Sequence, residues 1–184
     1  MAEVAERKYL GDSVKLEIVR AKKRQPVVVK FDHAFPFNMQ ANSYEQQPRY
    51  VLVGGLLFQP LSRNLMAAYQ FQNPRVDYYF DVFLTREIYK EHPEIIVLSS
   101  ILPDPLNTYL TDFREGIVEK INDEPMKTLK DVAAAFAKPA EFYVVDFVGA
   151  GRPLVLERAA VDAARERIKK RYNVIEEQNL GDDK

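Results

Sequence analysis

The 184-residue chain contains no cysteine. Disulfides, thiolate zinc sites and cysteine nucleophiles are therefore excluded, although the compartment is not fixed by this. Histidine is nearly as scarce, with only His33 and His92. Hydrolysis by a triad needs a nucleophile held by a base, almost always histidine. His33 falls in an irregular stretch and His92 directly precedes Pro93, neither beside a G-x-S-x-G-like serine, so both read as solvent-facing. No H-x-x-x-H pair or His/Cys cluster offers metal-ligand spacing. No apolar run is long enough to span a bilayer, and the opening MAEVAERKYLGD is charged and lacks the apolar segment of a signal peptide. Charge of one sign is missing too. With 26 Lys+Arg against 27 Asp+Glu, no bulk electrostatic attraction to nucleic acid follows.

What is present is an apolar fraction of 47%, with 10 Tyr and 11 Phe, enough to bury a core. The length suits one main domain with appendages. VKLEIV (14–19) alternates apolar and polar, and PVVVKF (26–31) follows a charged turn, predicting a β-hairpin. Ahead of it, AEVAERKYLGD reads as a helix end stopped near Gly11. Residues 32–48 carry two prolines within DHAFPFNMQANSYEQQP and no sustained period, which predicts a linker.

Of the seven glycines, two are adjacent inside VLVGGLLFQPLS, residues 51–62. Glycine in a strand interior costs stability, so the pair marks a bulge, a sharp turn or a close approach to the backbone. No P-loop follows it, because the G-x-x-x-x-G-K-[ST] lysine is absent. Beyond Pro60, Ser62 can cap a short helix, and Val76, Tyr79, Phe80, Phe83 and Leu84 fall at helical spacing. Seven aromatics lie between Tyr69 and Tyr89, either as the core of a helical insertion or as a partner surface. EIIVLSSILPDP predicts a strand from Ile95 to Leu102, and GIVEKINDEPM a strand closed by Asn122-Asp123 turn chemistry. Thr128 with Asp131 forms a capping-box pattern ahead of Leu129, Val132, Ala133 and Phe136, an amphipathic helix. A second hairpin turns at Gly149-Ala150-Gly151, and the last helix carries a narrow stripe of Val161, Ala164 and Ile168. The tail EEQNLGDDK is expected to fray.

The carboxylates Asp104, Asp112, Glu115, Asp123 and Glu124 are scattered among turns and caps and read as structural. Basic clusters at Arg20, Lys22, Lys23 and Arg24, and at Arg165, Arg167, Lys169, Lys170 and Arg171, lack the aromatic interleaving that stacks bases. They read as solvated charge, with nucleic-acid binding not expected. No cofactor is expected.

A strand that follows a glycine turn can present free N–H groups to a carboxylate and accept an added strand. The order of parts resembles a PDZ domain. Gly54-Gly55-Leu56-Leu57-Phe58 looks like its carboxylate-binding loop, with a second leucine where glycine is usual, and Ile117 to Asp123 looks like its I-x-x-I-N-G turn, with Asp123 in place of glycine. The G-G-L-L-F-x-P-L-S opening, the aromatic insertion, V-L-S-S-I-L followed by N-T-x-Y, and the basic C-terminal helix together resemble the atypical second PDZ domain of Deg-type serine proteases of the high-temperature-requirement family. RKYLGDSVKLEIVRAKKRQPVVVKF resembles the end of a preceding PDZ domain.

The resemblance implies an α+β fold: a PDZ-like partly open antiparallel β-barrel or sandwich capped by helices, with a helical insertion and an extra C-terminal helix. It implies a division into residues 1–31 (end of a preceding PDZ-like domain), 32–48 (linker), 49–176 (PDZ-like domain, insertion 59–93) and 177–184 (flexible tail). It implies no catalytic triad here and a trypsin-like protease domain upstream. The role implied is regulatory, in protein quality control: binding peptide segments or neighbouring subunits of a homo-oligomer to control protease assembly and activity. Gly54, Gly55, Leu56, Leu57 and Phe58 would form the peptide carboxylate-binding loop, and Leu129, Val132, Ala133 and Phe136 the groove wall. The alternative is a self-assembly scaffold whose groove is closed or occupied by the protein itself. The compartment stays open, with a bacterial envelope favoured over the cytoplasm.

Overall fold

A computed structural model of the chain describes residues 9, 11–31, 39–44 and 46–181. The chain divides into two compact units, residues 1–36 and 37–184. In the first, β1 (Ser13–Arg20) and β2 (Lys23–Lys30) form the expected antiparallel hairpin, from Ser13 opposite Lys30 to Arg20 opposite Lys23. Ala21 and Lys22 make the turn, both with positive φ, which matches the right-handed twist of the strands. The helix end expected before Gly11 lies outside the described residues.

The second unit is mixed α and β. Its first sheet has the order β10-β3-β4-β5, from β3 (Tyr50–Val53), β4 (Leu56–Pro60), β5 (Ile96–Ile101) and β10 (Gln178–Asn179). Its second has the order β7-β6-β8-β9, from β6 (Val118–Ile121), β7 (Glu124–Pro125), β8 (Phe142–Phe147) and β9 (Leu154–Glu157). Pairing within both is antiparallel, and they meet at a bridge between Val97 and Ile117 without closing into a barrel. The expected partly open α+β sandwich is the fold found.

Among the described residues four α-helices cover the sheets: α1 (Arg63–Ala68), α2 (Pro74–Val82), α3 (Leu129–Ala137) and α4 (Arg158–Tyr172). Ser62 caps α1 by accepting from the Leu65 N–H at 3.2 Å. Pro74 opens α2 at a position where its missing N–H has no intrahelical partner to lose. The α3 capping box is complete, since the Thr128 hydroxyl accepts from the Asp131 N–H and the Asp131 carboxylate from the Thr128 N–H. Asn122 and Asp123, both with positive φ, form the tight turn from β6 to β7.

The main core joins Val51, Leu56 and Phe58 to Leu98, Ile121, Leu129, Val132, Phe136, Val145 and Leu154. A second cluster gathers Leu61, Val76, Phe83, Ile95, Val97 and Ile117. Val76 and Phe83 are fully buried there, and Tyr79, Phe80 and Tyr89 pack partly against them. Much of the aromatic segment is therefore core, while Tyr78 stays exposed. Met39, from the expected linker, is buried in the same cluster; residues 32–38 and 45 lie outside the described residues.

The insertion is pinned through Glu115. Its buried carboxylate accepts from the N–H groups of Gln72 (2.7 Å) and Asn73 (3.0 Å), satisfying donors at the entry of α2. The C-terminal tail is a correction. Residues 177–180 are not a frayed end, because Gln178 pairs with Val51 and Asn179 with Tyr50 as strand β10. An unpaired edge of β3 supplies backbone partners that local composition cannot reveal.

Candidate functional site

Gly54 and Gly55 form a two-residue turn between β3 and β4, with φ of 57° and 83°. Both conformations favour glycine, and the surroundings enforce it at Gly55, where a Cβ would stand 2.5 Å from Asn107 Nδ2 and 2.7 Å from the Leu102 carbonyl. The close approach inferred from the sequence is thus to the chain itself. Asn107 Nδ2 donates to the carbonyls of Gly54 (3.0 Å) and Leu102 (2.8 Å), and its Oδ1 accepts from the Asp104 N–H. Asp104, with a side chain buried from solvent, accepts two bonds from Arg167 of α4, at 2.6 and 2.8 Å. The Arg167 guanidinium, bonded to Asp104, holds this carboxyl below its ordinary pKa.

The remaining residues of the expected carboxylate-binding loop lie in β4. Leu56 and Phe58 are buried in the main core and Leu57 is half-buried. Both edges of β4 are occupied, by β3 from Val51/Phe58 to Val53/Leu56 and by β5 from Leu56/Ile101 to Pro60/Ile96. An added strand needs unpaired N–H and C=O groups, and β4 has no open edge on which to seat one. The four residues expected as a groove wall sit on α3: Leu129, Val132 and Phe136 are buried in the core, with the Phe136 ring centroid 5.4 Å from that of Phe58. Ala133 alone of the four is half-buried.

The edge that does take an added strand is that of β3, the strand over which α3 packs. The Leu52 N–H donates to the Glu177 carbonyl at 2.7 Å, and the Tyr50 hydroxyl to the Glu176 carbonyl at 2.8 Å. Asn179 Nδ2 donates to the Pro48 carbonyl at 2.9 Å. Leu180 is half-buried against the main core, and Arg49 Nε donates to its carbonyl at 2.8 Å. The same guanidinium is paired with Glu94, whose other oxygen accepts from the Leu129 N–H at 2.7 Å. One chain of contacts therefore runs from Leu180 through Arg49 and Glu94 to the first turn of α3, where a carboxylate also complements the helix dipole.

These partners were not found from the sequence, because Arg49, Glu94 and Leu180 are far apart in it and carry no motif. The one available signal was Leu180, an apolar residue in an otherwise polar tail.

Two of the other carboxylates are in ion pairs: Asp112 with Arg152 and Glu124 with Lys138. Among the described residues, no group of His, Asp and Glu is arranged to hold a metal ion. No helix among them is long and apolar enough to cross a membrane.

Residues 39–179 match the PDZ domain family, which spans both sheets, α1 to α4 and the added strand. The chain belongs to the PDZ domain family. It is similar to Protease Do-like 2, chloroplastic, of Arabidopsis thaliana, at 28% identity over 94% of this chain and 28% of that protein. It is also similar to a serine protease DegP homolog of Plasmodium falciparum, at 31% identity over 67% of this chain and 13% of that protein. The resemblance to Deg-type proteases thus holds over most of the chain, which spans less than a third of the length of either curated relative. PDZ domains recognise extended peptides by strand addition at a sheet edge, and the β3 edge has that arrangement. The PDZ domain itself is non-catalytic.

Proposed function

We propose that this chain is the regulatory PDZ module of a Deg-type serine protease, binding extended peptide segments or neighbouring subunits at the β3 edge to control protease assembly and activity. The observation that supports the reading is β10, an extended segment added antiparallel to β3. In this reading the protease domain lies upstream, and residues 1–31 complete a preceding PDZ-like domain. Backbone bonds to β3 supply affinity, and the contacts of alternate side chains supply selectivity. The start of α3 is tied to the bound segment through Glu94 and Arg49, while Gly54 and Gly55 act indirectly by fixing the β3–β4 hairpin.

The occupant being the chain's own tail also favours a second reading, a scaffold whose groove is closed and whose partner is another subunit. Titration with peptides ending in free apolar C-termini, with amidated peptides as controls, separates the two when combined with sedimentation at several concentrations. Peptide binding that perturbs the Tyr50–Val53 amides supports the first reading. Concentration-dependent self-association without peptide binding supports the second.

A further inference from the structure

The strand on the β3 edge is also held from α4. Arg165, midway along α4, donates from Nε to both carboxylate oxygens of Glu177, at 2.9 and 2.8 Å, and its second nitrogen also meets that carboxylate. Glu177 is three-quarters buried as a side chain, whereas Arg165 is more than half exposed. A forked guanidinium facing a carboxylate recognises shape as well as charge. Three residues further on, Leu180 puts an aliphatic side chain on the main core while Arg49 holds its carbonyl. Acidic and aliphatic contacts are thus fixed at a spacing set by α4 at one end and by Arg49 at the other.

We propose that Arg165 is a specificity-determining residue of the β3 groove, selecting extended segments in which an acidic side chain stands three residues before an aliphatic one. The chain's own Glu177-Gln178-Asn179-Leu180 has this pattern and is the internal competitor. The inference rests on the reading of the β3 edge as the binding groove. A partner segment of this chemistry must displace residues 177–180, which are present at the high effective concentration of a tethered ligand. Apparent affinity for external peptide is then reduced by the fraction of time the tail is bound.

The test uses the full chain with its tail weakened by Leu180→Asp, which puts a charge where an aliphatic group packs. A fluorescent peptide with the sequence of residues 174–181 is titrated by anisotropy, and the Leu52 amide resonance reports whether it occupies β3. The expected result is binding to the L180D chain, weaker binding to the unaltered chain, and a loss of about five- to tenfold when Arg165→Glu is added. Peptide carrying arginine at the Glu177 position should restore the binding to the R165E chain. If circular dichroism shows that L180D does not fold, Leu180→Gly takes its place in the same comparison. Binding at β3 that is unchanged within twofold by R165E overturns the selectivity of Arg165 and leaves the groove reading standing. No perturbation of Leu52 in a folded chain with a weakened tail overturns both.

Discussion

Arg49 and Leu180 stand 131 residues apart in sequence, yet the Arg49 Nε–H reaches the Leu180 carbonyl at 2.8 Å. The same guanidinium is paired with Glu94, which also accepts from the α3 N-terminus. A single arginine therefore couples the strand on the β3 edge to the helix packed over β3.

Arg49→Ala should loosen that strand without unfolding the domain. Loss of a hydrogen bond from a charged donor in a partly exposed setting raises the open population about tenfold. Limited digestion with a glutamate-specific protease should cut at Glu176 or Glu177 correspondingly faster, while sites within the sheets stay resistant. Equal cleavage rates would mean that Arg49 does not hold the tail.

Gly55→Val should destabilise the fold. The residue has φ of 83°, and its first added carbon meets Asn107 Nδ2 and the Leu102 carbonyl at 2.5 and 2.7 Å. Left-handed strain and overpacking together cost about 2–5 kcal/mol. A urea unfolding midpoint unchanged from the parent chain would show that the turn opens without penalty.

Leu129→Ala and Ala133→Ser should separate core from groove on one helix. Leu129 is fully buried, so its truncation costs about 2–5 kcal/mol by thermal unfolding. Ala133 is half-buried, and its serine variant should stay within about 1 kcal/mol. A change in peptide affinity for A133S alone would place that residue at the groove.

The pair of Asp104 and Arg167 predicts a pH dependence. Arg167 holds the folded-state carboxyl below its ordinary value. The pair therefore stabilises at pH values above the unfolded pKa of about 4, and that contribution is lost as pH falls through the depressed folded value. Asp104→Asn should lower the unfolding temperature by a constant amount from pH 5 to 8, with the gap to the parent chain narrowing below about pH 4. A gap independent of pH in acid would rule out ionisation of Asp104 as its source.

Much of the architecture was legible because local chemistry and tertiary packing agree. The Thr128/Asp131 box, Ser62, the Asn122-Asp123 turn and the Val161, Ala164, Ile168 stripe each act where their spacing predicts. The glycine pair was legible as a close approach, but not what approaches it, since Asn107 is over fifty residues away and only the fold brings it there. The tail failed for a different reason. A strand added to an edge draws its stability from the backbone of the other strand, so Gln178 and Asn179 need no β propensity of their own. Leu129, Val132, Ala133 and Phe136 share one helical period, and period identifies a buried face without saying how much of it reaches the groove.

Native-state hydrogen exchange at Leu52 is the decisive measurement of tail occupancy, because its N–H donates to the Glu177 carbonyl on the edge assigned to the ligand. Leu52 should be protected in the intact chain and lose protection in Leu180→Asp, while the Leu98 N–H, bonded to the Gly116 carbonyl, stays protected in both. Free exchange at Leu52 in the intact chain, or protection unaffected by the substitution, would contradict occupation of the groove by the chain's own tail.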